Sequence, residues 1–224
     1  MSLHDFAYIF LSSFMALFPV LNPIGSAFVV NGFLDGLDED QRKIAIMKIT
    51  RNCLIIGLGS LVAGKLILLV FNLAVPVIQL AGGILICKMG LNWLSSPTGN
   101  FASDMQQEFR KVNLGKVEQQ VFYPISFPIC FGPGSVSVVF TLMAGASVRD
   151  ELLVAVINYL LIALVIVILC GILYLSISQG NWLIHRLGSS GSLVINKLVA
   201  FFTFCIGIQI IIAGLSKIFH IHVL

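Results

Sequence analysis

Two short polar segments interrupt apolar runs of the sequence, and their residue types suit the binding of a small anion or zwitterion. Both combine helix breakers with small hydrogen-bonding residues: Asn22, Pro23, Gly25 and Ser26 in the first, and Gly132, Gly134 and Ser135 in the second. Because proline lacks an amide donor and disfavours helix at the preceding residue, each segment should end one helix and start another. The free amides and positive dipole at a helix start bind carboxylates, and Asn and Ser side chains add neutral hydrogen bonds.

The same residues also have a simpler interpretation as proline kinks. Gly and Ser beside a kink let neighbouring membrane helices approach closely, and no ligand is needed to explain them. One isolated break would favour this interpretation. Two related breaks that meet in space would favour a binding site.

The two segments are related by an internal repeat. A shift of 109 residues aligns "FPVLNPIGSAFVVNGFLDG" with "FPICFGPGSVSVVFTLMAG", and seven of the 19 positions are identical, including a Pro, a Ser and two Gly. The same shift aligns two candidate helix N-caps, each with its partner three residues later: Asp38 with Gln41, and Ser147 with Asp150. We infer that the chain arose by duplication.

Composition places both segments in a membrane protein. The chain of 224 residues is 58% hydrophobic and only 10% charged, whereas about 25% of the residues of soluble domains are charged. About 20 apolar helical residues cross a bilayer. The sequence therefore predicts an all-α polytopic protein with six spans, approximately Phe6–Leu34, Ile49–Phe71, Val75–Leu94, Val121–Ala146, Leu152–Ser178 and Leu198–Ser216.

The span count predicts how the two halves insert. Residues 1–94 would form the first three-helix repeat, 95–120 a cytoplasmic linker loop, and 121–224 the second repeat. Because three is odd, the second half should insert upside down, as in the inverted repeats of many secondary transporters. The first span has 29 residues, about 43 Å of helix against about 30 Å of hydrocarbon. The first span therefore has residues to spare for a break. In the fourth span, the prolines and glycines at 124, 128 and 132–134 predict a break in the same way.

Lys and Arg in short loops predict the orientation. Most fall on one side, which should be cytoplasmic: Arg42, Lys43, Lys48, Arg51, Arg110, Lys111, Lys116, Arg186 and Lys197. Arg149 and Lys217 fall on the other side, with Lys65 near it. Both termini should then be periplasmic.

Two further polar residues are candidates for the site, and several kinds of site are not indicated. Gln209 lies mid-span, and Lys88 is a possible auxiliary residue that could equally snorkel to the interface. All ten acidic residues lie in termini, loops or helix ends, so the site should prefer neutral, zwitterionic or weakly anionic ligands over cations. Na⁺ and H⁺ both stay open as coupling ions. The sequence predicts no metal site, cofactor, nucleic-acid partner or enzymatic activity.

The segments "FPVLNPIG" and "FPICFGPGSVS" resemble the two signature segments of the MarC family. This family of six-span bacterial inner-membrane proteins includes SnatA-type transporters of small neutral amino acids. The resemblance covers nearly the whole chain, in length, span count and the charged loop after the first span. It implies a place in the bacterial inner membrane and the carriage of small solutes. The chain departs from the pattern at Cys130 and Phe131, where small residues are expected.

These observations predict a secondary transporter, either importer or exporter, for small neutral amino acids or similar zwitterions. The helix starts at Gly25–Ser26 and Gly134–Ser135 would hold the carboxylate, and Asn22 with freed carbonyls would hold the amino group. A carrier or flippase for a lipid-linked or hydrophobic anion stays open, as does a membrane enzyme or assembly subunit. The expected partners are the small substrate, membrane lipids and, in an oligomer, further copies of the chain.

Overall fold

All elements of the described chain are helices. A computed structural model describes residues 3–34, 36–95, 120–146 and 152–219. In chain order the helices are α1 (Leu3–Leu21), α2 (Pro23–Phe33), α3 (Glu39–Val70), α4 (Val75–Ser95), the wide-turned helical segment Val121–Cys130, α5 (Pro133–Ala146), α6 (Leu152–Ser178) and α7 (Gly180–Phe219). The predicted all-α class is confirmed.

The helices are long and apolar enough for a polytopic membrane protein. Five stretches could cross a membrane, or six if Val121–Cys130 and α5, which are bent by 58°, count as one broken span. Helix α3 begins at Glu39 and helix α7 at Gly180, earlier than the predicted spans near Ile49 and Leu198. Hydropathy marks only the apolar part of a helix, whereas a capped helix continues into polar residues.

The cap predicted at Asp38 is present. Its side chain accepts a hydrogen bond from the amide of Gln41 at 2.7 Å, at the start of α3. The aligned pair Ser147 and Asp150 lies outside the described residues, as do 96–119 of the linker. The domain boundaries and the periplasmic position of the termini stay predictions.

Helices α4 and α7 pack along small residues. A Cβ at Gly83 would lie 2.8 Å from the carbonyl oxygen of Gly207, and a Cβ at Gly90 would lie 2.7 Å from the amide nitrogen of Phe204. Such contacts leave no room for any side chain, as at the small-residue interfaces of membrane helices. Lys197 of α7 caps the C-terminal end of α4, because its Nζ donates a hydrogen bond to the carbonyl of Leu94 at 2.5 Å.

The broken helices lie in the middle of the packing. Helices α1 and α2 pack against α6 and also contact α7, while α5 packs against both α3 and α4. The core face of α6 is a buried apolar stripe: Ile162, Val165, Ile166, Leu169 and Leu173. The outer helices thus form two pairs, α3 with α6 and α4 with α7, which enclose the two breaks.

The α4–α7 contact should be sensitive to a single added methyl group. Gly83→Ala places a Cβ against the backbone of α7, so we expect it to lower the free energy of unfolding by about 1–3 kcal/mol. Thermal unfolding in detergent would measure this. The control is Gly171→Ala in α6, where a Cβ meets nothing within 4 Å and alanine favours helix. Equal unfolding midpoints for the two variants would contradict the close packing.

Candidate binding site at the two helix breaks

The first break consists of a single residue. Asn22 lies between α1 and α2 with φ 43° and ψ 64°, in the left-handed region that asparagine tolerates. Pro23 follows as the first residue of α2, a position where its missing amide costs nothing within the new helix. The expected break in the first span is therefore present at the predicted residues.

The break leaves one carbonyl without its helical donor. Pro23 has no amide to give to the carbonyl of Pro19, four residues earlier. The hydroxyl of Thr203 in α7 lies 2.9 Å from that carbonyl oxygen and 2.8 Å from the carbonyl oxygen of Val199. Thr203 is fully buried. The single hydrogen of a hydroxyl from a different helix is thus shared between the Val199 carbonyl and the carbonyl that Pro23 leaves without an amide.

The side chains of Asn22 and Ser26 form hydrogen bonds with backbone groups on either side of the first break. The Oδ1 of Asn22 accepts the amide of Gly25 at 3.0 Å, and the hydroxyl of Ser26 donates to the carbonyl of Leu21 at 3.1 Å. A Cβ at Gly25 would lie 2.2 Å from the Nδ2 of Asn22, so this cap requires glycine. Part of the hydrogen-bonding capacity that we assigned to a substrate is therefore used within the protein.

The second break is longer and is made by two prolines. Tyr123 and Phe127, which precede Pro124 and Pro128, are both extended, with φ −122° and ψ 124° for the first and φ −132° and ψ 123° for the second. This is the conformation that proline imposes on the residue before it. Helix α5 then starts at Pro133 in a direction 58° from the preceding segment.

Ser126 stabilises the second break and was not recognised from the sequence. It is fully buried, and its hydroxyl donates to the carbonyl of Val121 at 2.6 Å while its own carbonyl accepts the amide of Phe131 at 2.9 Å. Asn52 of α3 donates to the Ser126 hydroxyl at 3.3 Å. The available signal was a serine between two prolines four residues apart, in a span with few other hydroxyls.

The two breaks approach one another. A Cβ at Gly134 would lie 3.5 Å from Cγ1 of Val20 and 3.1 Å from Cγ1 of Ile86. Val20 is two residues before Asn22, so the start of α5 lies against the end of α1. The predicted residues at the breaks are mostly buried: Asn22, Pro23, Ser26, Gly132, Gly134 and Ser135, with Gly25 half-buried.

The two helix starts differ in their caps. Asn22 caps α2, but the residue before α5 is Gly132, which has no side chain to accept an amide. The repeat aligns Asn22 with Phe131, whose buried ring would lie 3.0 Å from a Cβ at Gly57 in α3. First-turn amides have no acceptor inside their own helix. Of the two helix starts, only that of α5, at Gly134 and Ser135, therefore lacks a side-chain cap from the preceding residue.

Two predicted residues lie apart from the breaks. Lys88 is exposed on α4, and Gln209 is exposed on α7. Helix α7 faces the core with Thr203, Gly207 and Ile210 instead. A polar residue within a uniformly apolar helix does not indicate by its type which face it occupies. In the described chain no group of three His, Cys, Asp or Glu residues could hold a metal ion.

Removing the hydroxyl that replaces the missing amide should destabilise the fold. Thr203→Val keeps the side-chain shape but leaves the Pro19 carbonyl unpaired, so we expect a loss of roughly 1–3 kcal/mol in the free energy of unfolding. The matched control is Thr141→Val, since Thr141 bonds only to the carbonyl of Ser137 within its own helix at 3.0 Å. Thermal unfolding of both variants would test this. A Thr203→Val protein as stable as the control would contradict it.

The exposed amide of Gln209 offers a test of the expected homo-oligomer. An amide facing lipid is costly, and a second copy of α7 could satisfy it. Cys205, one turn earlier, is also exposed. We expect oxidative crosslinking in membranes to give a dimer that Cys205→Ser abolishes and Gln209→Leu weakens. Absence of any Cys205-dependent dimer would count against this contact.

Comparison with known proteins gives the family. The model of the family described as "MarC family integral membrane protein" matches residues 7–219. A membrane protein of Pyrococcus abyssi is 26% identical over 93% of this chain and 94% of its own length. YvbG of Bacillus subtilis is 27% identical over 92% and 93%. The inner membrane protein MarC of Escherichia coli is 24% identical over 91% and 92%.

No solved structure matches the chain. The family match nevertheless spans both broken helices and all of the described helical core. With its apolar helices and its two proline-interrupted spans, the chain belongs to the MarC family of integral membrane proteins.

Proposed function

We propose that this protein is a secondary transporter of small neutral amino acids or similar zwitterions across the bacterial inner membrane. The observation that most supports the proposal is the approach of the two breaks, with the start of α5 against the end of α1 at Val20. In membrane proteins, irregular backbone within the hydrocarbon region is found buried in protein or lining a wet cavity. Many secondary transporters bind their substrates where two such broken helices meet.

The uncapped helix start would bind the carboxylate. The amides of Gly134 and Ser135 carry the positive end of the α5 dipole. Val20 and Ile86 lie 3.5 and 3.1 Å from the Cβ position of Gly134, so a ligand that reached these amides would displace those side chains. The Ser135 side chain is buried beside them. In this proposal the cap on α2 makes Gly25 and Ser26 supporting residues, and Gly134 and Ser135 the primary contacts.

The first break would bind the amino group. The carbonyl oxygens of Pro19 and Leu21 each accept one hydroxyl, from Thr203 and Ser26. A carbonyl oxygen has two lone pairs, so each can accept a second donor from an ammonium group. The site would thus present donors on one break and acceptors on the other, which matches a zwitterion.

The charge of the site favours ligands without net charge. The acidic residues with described side chains, Asp5, Asp38, Glu39 and Asp40, all lie within or just before the first turn of a helix. An unpaired charge at mid-membrane would be costly. A zwitterion would place its two charges against fixed dipoles and needs no ionised partner.

Transport would follow from an inverted arrangement of the two repeats. The 109-residue repeat relates the breaks in sequence, and three helices per half imply opposite insertion. The pairs α3 with α6 and α4 with α7 would rock relative to each other around the breaks. Access would alternate between the two faces of the membrane.

Uptake of labelled alanine, serine, threonine and glycine by proteoliposomes would test the proposal. We expect exchange with internal amino acid, reduced by Ser26→Ala and lowered at least about tenfold, or about 1.4 kcal/mol, by Gly134→Leu, whose side chain would crowd Val20 and Ile86 at the start of α5. Thermal unfolding would verify that the Gly134→Leu protein is folded. The control is Gly59→Leu on the exposed side of α3, where a Cβ meets nothing within 4 Å. Lack of flux of any amino acid through folded protein would refute the proposal, and co-purified lipid at the breaks would favour the flippase alternative.

A further inference from the structure

One side of helix α3 is exposed along its length, and two basic residues lie on it. The exposed apolar residues of this side are separated by three, four, seven or eleven residues, which keeps them on one side of a helix. Lys48 and Arg51 are also exposed and continue the same spacing. The apolar residues are 48–80% exposed and form, with the two basic residues, the exposed stripe of α3: Ile44, Ile55, Val62, Leu66 and Leu69.

The opposite side of α3 is the one that packs in the protein. It is buried at Ile46, Ile49, Cys53 and Leu61, and α3 contacts α5 and α6. The exposed stripe therefore faces away from the described core, and in a membrane it faces lipid.

Lys48 and Arg51 form a pair of positive charges without an acidic neighbour in the described chain. They are three residues apart, so their Cβ atoms lie about 5–6 Å from each other on the helix surface. Neither side chain forms a hydrogen bond or an ion pair with another described residue. The acidic residues of α3 lie in its first turn, and Asp40 is eight residues before Lys48, about 12 Å along the helix.

The length of α3 places this pair at the edge of the hydrocarbon. Arg51 is 19 residues before Val70, where α3 ends, and 19 residues of helix span about 29 Å. The hydrocarbon core is about 30 Å thick. If the end of α3 lies at one edge of the hydrocarbon, Arg51 lies at the other, and Lys48 lies among the lipid headgroups.

An exposed tyrosine on a neighbouring segment lies at the same level. Asn52 donates to the Ser126 hydroxyl, and a Cβ at Gly57 would lie 3.0 Å from the ring of Phe131, so the segment that contains the second break runs parallel to α3. Tyr123 is three residues before Ser126 and 53% exposed. It therefore lies on the Lys48 side of Asn52, and tyrosine is enriched where hydrocarbon meets water.

The charge of the pair fits a lipid phosphate better than a second copy of the chain. In a two-fold dimer with its axis normal to the membrane, residues at the same depth meet. Lys48 and Arg51 of one copy would then face the same residues of the other, and like charges repel. A phosphate group at headgroup level instead supplies the negative charge that the pair lacks.

We propose that Lys48 and Arg51 bind the phosphate group of an anionic phospholipid in the leaflet around the start of α3. The guanidinium of arginine presents a planar fork of donors that matches phosphate, and lysine adds a point charge. Ile55 and Val62, about one and three turns further along the stripe, would contact the acyl chains of the same lipid. This inference does not depend on the proposed transport of amino acids.

Native mass spectrometry of the purified full-length protein, titrated in detergent micelles with dioleoyl phosphatidylglycerol, would test the site. We expect phosphatidylglycerol to bind more tightly than dioleoyl phosphatidylcholine, because the choline cation neutralises the phosphate charge. Lys48→Gln combined with Arg51→Gln should weaken phosphatidylglycerol about 25-fold, or about fivefold for each basic residue. Arg51→Lys alone keeps the charge and should lose less affinity than Arg51→Gln.

The matched control is Lys43→Gln combined with Lys65→Gln, which removes the same charge from the same helix. Both lysines are exposed, but Lys43 is about 140° around the helix from Lys48, and Lys65 is about 25 Å further along it. The control should keep the wild-type affinity for phosphatidylglycerol. Thermal unfolding would verify that both double variants are folded, as expected for exposed side chains.

Three results would overturn the lipid site. The first is equal affinity of the wild-type protein for phosphatidylglycerol and phosphatidylcholine. The second is wild-type affinity in the variant that lacks both Lys48 and Arg51. The third is equal weakening by the control variant, which would show that phosphatidylglycerol responds only to the overall charge of α3.

Discussion

The structure depends on one constraint, that every backbone donor and acceptor within a bilayer must find a partner in the protein. Each proline in the first and fourth spans removes a donor, and each break exposes backbone groups that a continuous helix would pair. The chain pairs several of them with side-chain hydroxyls: those of Thr203 and Ser26 at the first break, and that of Ser126 at the second. Asn52 in turn donates to the Ser126 hydroxyl. The breaks can therefore persist at a depth where an unpaired carbonyl would cost several kcal/mol.

The two breaks meet this constraint differently, and the difference bears on function. At the first break, Asn22 has a left-handed backbone conformation and its side chain caps α2. Gly25, which has no Cβ, leaves room for that side chain. The second extends over two prolines and leads into a helix whose first residue follows a glycine. The two segments are similar in sequence, but of the two helix starts only that of α5 has no side-chain cap from the preceding residue. For this reason the proposed function assigns the carboxylate to the start of α5.

The sequence predicted much of this architecture, since hydropathy and proline placement act locally. The predicted spans Val75–Leu94 and Leu152–Ser178 agree closely with helices α4 and α6, and the break around Asn22 was identified by residue types alone. The direction of a side chain around a helix was harder to predict. Gln209 and Thr203 lie in the same apolar helix, yet only Thr203 faces the core. The role of Ser126 depends on its contact with Asn52 of a distant segment, which no local pattern encodes.

Two hydrogen bonds, from the hydroxyl of Thr203 and the amide of Asn52, connect the breaks to the outer helices. Thr203 of α7, the helix packed tightly on α4, donates a hydrogen bond to the Pro19 carbonyl at the first break. Asn52 of α3 donates a hydrogen bond to the Ser126 hydroxyl at the second break. Each break is thereby hydrogen-bonded to a helix of a different outer pair, while both breaks also pack against both pairs. If the pairs moved relative to each other in the proposed transport cycle, these two hydrogen bonds would carry part of that movement to the contact between Val20 and Gly134.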